Sequence, residues 1–450
     1  MSSVSIRFIP LLLTVATLCT VGSALADTAE NAVQELIRSV HTAAEQALLQ
    51  EIYIDNPEIA AARARVRQFA ERAPQARSLP DPTLSVAAFL LPPETRAGPQ
   101  RLSATIGQHL PRRGKLSLRE DIEFARTEEA RCLSEKMALA KISQARRLLA
   151  RLAFIDASME IVREDLDVLE EFEQLARTRY ATGRGAAQSP VKLQAEITIN
   201  QALLLKLDSE RAALVARLNS LRNRPGSKEL PPLTLPTPLP AFPTVRELRL
   251  LIVNRHPAVG AASQVLRAAE TKVALARKDY RPDFTVGLTY TFVDRRQDPA
   301  GRVSPLHDDG DDVLGIAATI NLPIHKRRLD AGVREAAERR TAAAKTLEST
   351  ILSLERTLQD RLAQHVPLYD QWNLLRRVLL PQAEESLASA RFAYETGRSS
   401  ILDLLDAERV LLEVRLGAKR AAMQVQLLVI DVEDVIAGPW IFADHRESQQ

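Results

Sequence analysis

The side chains best able to do chemistry in this 450-residue chain are acids and histidines, and neither type forms a catalytic set. The seven histidines (His41, His109, His256, His307, His325, His365 and His445) show no metal-ligand spacing. No nucleophile elbow, phosphate-binding loop or paired cysteine motif is present. No enzyme activity, cofactor or resident metal is therefore expected. The run HDDGDD at 307–312 is acidic, but it lacks the full spacing of a calcium loop and reads as a solvated loop. What remains is paired carboxylates. Asp403 and Asp406 stand three apart in a helical stretch, with Glu408 just behind. Residues three apart share a helix face, so two carboxylates can be offered together to water or to a cation. An ordinary solvated face is the alternative.

The stretch just before these acids is written twice. RTRYATGRGAAQ lies near the middle of the chain and RFAYETGRSSIL near its end, with Tyr180 and Tyr394 214 residues apart. Other pairs keep the same order: NPEIAAARARV from Asn56 matches HPAVGAASQVL from His256, and Leu110-Pro111 recurs as Leu322-Pro323. Ordered matches with a slowly drifting offset indicate an internal duplication. The segments follow from it: a leader over 1–26, a first repeat over 27–224, a proline-rich connector over 225–243, a second repeat over 244–438 and a tail over 439–450. Proline removes amide donors and fixes φ, so the connector is expected to be extended.

Each repeat has one plan. A helix (57–78, then 257–279) precedes a strand pair (82–110, then 283–322). In the second pair, Val286, Leu288, Tyr290 and Phe292 alternate with Thr285, Gly287, Thr289 and Thr291, which gives one apolar face and one small, polar face. A helical hairpin follows, over 115–222 and 327–436. Its first arm carries Ile142, Ala145, Leu149, Leu152, Ile155, Met159 and Val162 at helical spacing. An arm over 115–181 would be roughly 100 Å long, and Pro367 and Pro381 are expected to bend or break its counterpart over 327–395. Gly183 and Gly397 fall where the long helices stop. Glycine suits the left-handed residue that closes a helix, so both phrases are expected to be hairpin turns.

Strands with a lipid-suited face must close into a barrel without free edges. Four cannot close alone, so chains are expected to pool them. Two chains would give eight strands and a filled interior; three would give twelve and a wider lumen. The small residues on the second face favour three chains.

Five stretches now carry a resemblance: NPEIAAARARV, LPRRGKLSLRED, YATGRGAAQSPVKLQAE, RPDFTVGLTYTF and YETGRSSILDLLDAERVLLE. The chain resembles the TolC family of bacterial outer membrane efflux proteins from about Asn56 to Gly438. YATGRGAAQ is most similar to the heavy-metal efflux branch. The resemblance implies a mainly α fold with a membrane β-barrel: a homotrimer with a shared twelve-stranded barrel and a long α-helical tunnel across the periplasm. It implies docking to a periplasmic adaptor (membrane fusion protein) and to an inner membrane resistance-nodulation-division pump. It also implies a gate. Asp403 and Asp406, six and nine residues after Gly397, match the family's constricting aspartates, and Tyr394 matches its tip tyrosine. Gly183, Arg184, Gly397 and Arg398 would form the tips that dock the adaptor. Ser189, not an acid, stands six residues after Gly183, which departs from the family's pattern.

Bulk properties agree. Sixty Lys and Arg against 57 Asp and Glu leave a net charge of +3, which gives no electrostatic case for nucleic acid. Residues 1–26 read as an export signal ending Ser23-Ala24-Leu25-Ala26. Leu18 before Cys19 argues against lipidation, and Cys132 alone makes no internal disulfide framework. The rival reading is a soluble periplasmic coiled-coil scaffold or adaptor, which has no use for two lipid-suited strand pairs.

Overall fold

The computed structural model describes residues 33–40, 42–183, 187–231, 233–238, 242–296, 298–299, 303–304 and 307–439. The expected leader over 1–26, Arg184, the middle of the 294–311 loop and the tail from 440 lie outside the described residues. Two compact units are distinguished. One comprises the chain up to Arg63, Cys132–Gly260 and the chain from Ser349; the other comprises Ala64–Arg131 and Ala261–Glu348.

The first unit is helical. It opens with α1 (33–38) and α2 (Ala43–Asp55), whose Thr42 cap accepts a hydrogen bond from the Glu45 amide. Then α3 (Pro57–Ala70) begins. Its cap is Asn56, whose Oδ1 accepts from the Glu58 and Ile59 amides at 3.0 and 3.2 Å while its Nδ2 donates to the Leu221 carbonyl at 2.9 Å. The corresponding place before α8 (Pro257–Lys278) is His256, whose Nδ1 accepts from the Ala258 amide at 3.1 Å. Both helices start on proline, which loses nothing at the first helical position because that amide would be unpaired anyway. Helix 57–78 does not run unbroken as the sequence suggests. It stops at Ala70 and resumes as α4 (Arg72–Arg77), because Pro74 cannot donate back to the Ala70 carbonyl.

The long helix α5 (Lys115–Ala181) spans 67 residues and returns as α6 (Gln188–Leu221). A second hairpin follows α7 (Val245–Arg255) and α8: α9 (Lys326–Leu374), a π-helical turn (Leu375–Leu379) and α10 (Leu380–Glu395) run one way, and α11 (Ile401–Ile436) returns. The two prolines behave differently. The helix continues through Pro367, whereas Pro381 sits in the first turn of α10 directly after the π turn, where its missing amide is tolerated. The apolar stripe of α5 is the spine of the core. Ile142, Ala145, Leu149 and Leu152 pack with Leu36, Leu49, Ile52, Ile59 and Leu218 in one cluster. Nearer the turns, Leu169 and Phe172 pack with Leu193, Tyr394, Ile401 and Leu404. Two arginines tie α5 to the end of α11: Arg146 reaches Glu433 at 2.5 Å, and Arg147 reaches Asp431 and Asp434 at 2.7 and 2.9 Å.

The second unit holds the sheet. Its strands are β1 (Thr83–Ala88), the short β2 (Glu94–Thr95), β3 (Gly98–Leu110), β4 (Phe284–Val293) and β5 (Val313–Ile320). All neighbours are antiparallel in the order β1-β3-β4-β5, with β2 pairing β3 beyond that path. Within the expected strand pair over 82–110, nothing in the sequence marked the short β2. A side chain at Gly98 (φ +121°) would strike the Asp294 carbonyl, so only glycine lets β3 begin there. The register puts Leu84, Ile106, Leu288 and Ile316 in one cross-strand row, and Val86, Ala104, Tyr290 and Leu314 in a second. Between these rows, on the other face, runs Ser85, Thr105, Thr289 and Gly315. Thr105 and Thr289 hydrogen-bond across the strands at 2.9 Å. The apolar face is bare: Leu84 is 69% exposed, Leu288 45% and Ile316 82%.

Candidate functional site

Each phrase lies where one long helix ends and the next begins, and its glycine is left-handed. Gly183 has φ +72° and Gly397 φ +77°. The second turn is a Schellman closure: the Arg398 amide donates to the Ala393 carbonyl at 2.8 Å and the Gly397 amide to the Tyr394 carbonyl at 3.0 Å. A Cβ on Gly397 would come within 3.2 Å of Arg179 Nη2, whereas one on Gly183 would meet nothing within 4 Å. Helix α11 then starts on a capping box. Ser400 is the cap; Asp403 Oδ2 accepts from the Ser400 amide at 2.8 Å and from its hydroxyl at 2.9 Å.

That box gives the two candidate gate aspartates different roles. Asp403 is exposed but spends its carboxylate on the cap, and the bonds from the Ser400 amide and hydroxyl hold it below the usual carboxylate range. Asp406 is exposed with no hydrogen-bond or ion-pair partner among the described residues. Arg398 turns back onto its own hairpin, donating to Thr396 Oγ1 at 3.2 Å with its guanidinium over Phe392.

Tyr394 is buried at 5% exposure, while the matching Tyr180 is 53% exposed. Arg179 of α5 joins the two hairpins: it donates to the Tyr394 carbonyl and at 3.3 Å to the Glu395 carbonyl, and its guanidinium lies 4.8 Å from the Tyr394 ring centre. Burial raises the Tyr394 phenol; Arg179 and a hydrogen bond with Ser189 oppose that rise. The sequence pointed to Tyr394, and to Ser189 only as a departure from the family's pattern; it gave no sign of Arg179 or of the bond between Ser189 and Tyr394.

Further along the same hairpins lies a buried cluster around Glu408, which the sequence shows only as an acid just behind Asp403 and Asp406. Glu408 of α11 is 1% exposed, beside the buried Asp165 of α5 and Glu196 of α6. Asn200 donates to Asp165 at 2.7 Å, Arg409 pairs with Glu196, and Arg415 pairs with Glu164. Glu408 interacts with Asp165, though neither of its oxygens makes a well-directed hydrogen bond among the described residues. Burial, then Asp165, then Glu196 push its carboxyl up to about 9, and burial also raises Asp165. These surroundings favour the protonated form of Glu408. The missed signal was positional: Val162–Asp165–Leu169, Leu193–Glu196–Asn200 and Leu404–Glu408 each put a polar residue on a buried stripe.

Among the described residues, no group of three or more His, Cys, Asp or Glu is placed to hold a metal, and no helix is long and apolar enough to cross a membrane. Acids around 307–312 are taken up by neighbours: Asp308 pairs with Arg96, and Asp309 accepts from the Arg296 amide at 2.9 Å.

Comparison with known proteins gives a consistent picture. Residues 250–434 match the family model described as outer membrane efflux protein. The chain is 27% identical over 242 residues to outer membrane protein OprJ of Pseudomonas aeruginosa, a match covering 53% of this chain and 46% of that protein. It is 24% identical over 327 residues to the probable outer membrane lipoprotein SilC of Salmonella typhimurium, covering 70% and 66%. Its fold matches the outer membrane protein VceC of Vibrio cholerae with a TM-score of 0.70 at 22% identity, covering 88% of this chain and 96% of that one.

Proposed function

We propose that this chain, similar to the outer membrane efflux proteins in sequence over its second half and in fold over most of its length, is the exit duct of an efflux system in the bacterial outer membrane. One observation carries the reading. The sheet exposes a largely apolar face and a face rich in Gly, Ala, Ser and Thr, and its outer strands β1 and β5 each pair on one side only among the described residues. In water, such a face and two such edges would drive aggregation. In lipid, the face is satisfied and the edges must be paired.

Three copies would pair every edge and give a twelve-stranded barrel lined by the small, polar face. The repeated order of helix, strand pair and hairpin supports an internal duplication. The hairpins would continue the duct into the periplasm, with the turns at Gly183 and Gly397, and Arg184 and Arg398 beside them, meeting a periplasmic adaptor and an inner membrane resistance-nodulation-division pump. Transport energy would come from the pump, and this chain would supply a sealed path. Asp406, with Asp403 behind it, would ring the entrance, and Tyr394 would hold the closed state. Wording of the first tip makes heavy-metal cations the cargo to test first. Sedimentation of the detergent-extracted protein tests the assembly: a trimer recovered from the outer membrane is expected, and a monomer in mild detergent, or recovery in the soluble periplasmic fraction, would sink the reading.

A further inference from the structure

Beyond the proposed duct, on whose membrane-spanning sheet this rests, one end of that sheet carries an unneutralised basic belt. The apolar face ends at Leu110, Phe284 and Ile320 and continues past β5 as Leu322 and Ile324, which are 73% and 70% exposed. Directly beyond come Arg112 and Arg113 after β3, Arg281 before β4, and Lys326, Arg327 and Arg328 after β5. Arg112 is half-buried and the other five are exposed, and none of the six forms an ion pair among the described residues. Asp81, before β1, is a nearby acid without a described partner, and four others are engaged. Asp279 and Asp283 both bind Lys115 at 3.0 Å, Asp330 accepts from Tyr280, and Glu120 pairs with Arg77 at 3.2 Å. Residues 324–328 form an open hollow whose walls are Ile324, His325, Lys326, Arg327 and Arg328, one apolar side chain beside four basic ones.

The opposite end of the sheet is built differently. There each arginine with a described partner meets an aspartate: Arg96 with Asp308, Arg101 with Asp294 at 3.0 Å, and Arg296 with Asp298 at 2.9 Å. Six unpaired cations at this end, against Arg295 alone among the described residues of the other, lie beside an exposed apolar band and match a surface that is apolar at one depth and anionic just beyond it. The long helices α5 and α9 begin at this end.

We propose that Arg112, Arg113, Arg281, Lys326, Arg327 and Arg328 bind the anionic phosphodiester headgroups of inner-leaflet phospholipids, while Leu322 and Ile324 meet their acyl chains. Basic residues beside an anionic membrane surface each add attraction that falls off within a Debye length. The belt would thus fix the depth of the sheet and select phosphatidylglycerol over zwitterionic lipid next to it.

The test reconstitutes the full chain in vesicles of equal phosphatidylglycerol and phosphatidylethanolamine, re-extracts it in mild detergent, and counts retained lipids by mass spectrometry. Enrichment of phosphatidylglycerol by about fivefold or more is expected. It should collapse in 1 M salt without any mutation, and in a variant with Arg112→Gln, Arg113→Gln, Lys326→Gln, Arg327→Gln and Arg328→Gln. Arg295→Gln with Arg296→Gln, at the opposite end, should leave it unchanged. A parent that inserts and conducts but shows no preference overturns this inference and spares the duct. Failure of the parent to enter the bilayer sinks both. Retention of added lipopolysaccharide that is lost with the five-residue variant would overturn the leaflet assignment.

Discussion

The guanidinium of Arg179 lies 4.8 Å from the centre of the Tyr394 ring and donates to the carbonyl of the same residue. These residues come from the two similar tip phrases, yet the phrases are not used alike: Tyr394 is buried and Tyr180 is exposed. One arginine thereby holds the second turn by its ring and its backbone together.

Replacing Arg179 with Ala is expected to loosen the tip and raise single-channel conductance in planar bilayers. Tyr394→Phe should act in the same direction but more weakly, since it removes only the hydroxyl bond with Ser189, about 1 kcal/mol. Tyr394→Ala also empties a core position and should cost about 3–5 kcal/mol. Unchanged conductance in Arg179→Ala would show that the clasp holds no closed state.

Asp403→Ala and Asp406→Ala should separate. The first removes a capping-box acceptor and should lower Tm slightly. The second should leave stability unchanged within about 0.5 kcal/mol and weaken block by multivalent cations. Equal block in parent and Asp406→Ala would mark Asp406 as an ordinary solvated acid.

A pH dependence follows from Glu408. Its folded pKa, about 9, lies above the ordinary glutamate value of 4.5, so the folded state holds a proton that the unfolded chain gives up. Stability is then highest below about pH 4.5 as far as this group is concerned, and falls as pH rises toward 9. Glu408→Gln, which mimics the neutral acid, should flatten the fall in Tm between pH 5 and 9. Parallel Tm profiles for parent and variant would contradict a neutral Glu408.

His256 acts with the opposite sign. Burial, then the charge of Lys136, depress its pKa from 6.5 to about 4, and its cap requires a neutral Nδ1 acceptor. Its contribution is complete above pH 6.5 and is lost as pH falls toward 4. His256→Asn, copying Asn56, should retain the cap and remove this acid sensitivity, whereas His256→Ala should cost about 1 kcal/mol at neutral pH. Acid unfolding that is unchanged by His256→Asn would assign the sensitivity elsewhere.

Much of the molecule was legible in the sequence because it is local. Helix α5 matches its expected span because apolar residues three and four apart allow no other regular structure over that length. Strand β4 follows from strict alternation, and both turns from glycines at helix ends. Contacts between helices were not legible, since a periodic stripe says which face is buried and not what it meets. Glu408 reads as one more acid behind Asp403 and Asp406, yet it is buried at 1% exposure because it falls on the stripe of Leu404. Asp403 likewise lost the freedom a carboxylate has on a helix face once Ser400 became the cap. Sequence alone determined the faces, the turns and the likeness to efflux channels, because these follow from period and composition. The tertiary structure decided that Arg179 clasps Tyr394, that β3 pairs with β4 and that Glu408 is buried beside Asp165 and Glu196, because these depend on residues brought together from distant parts of the chain.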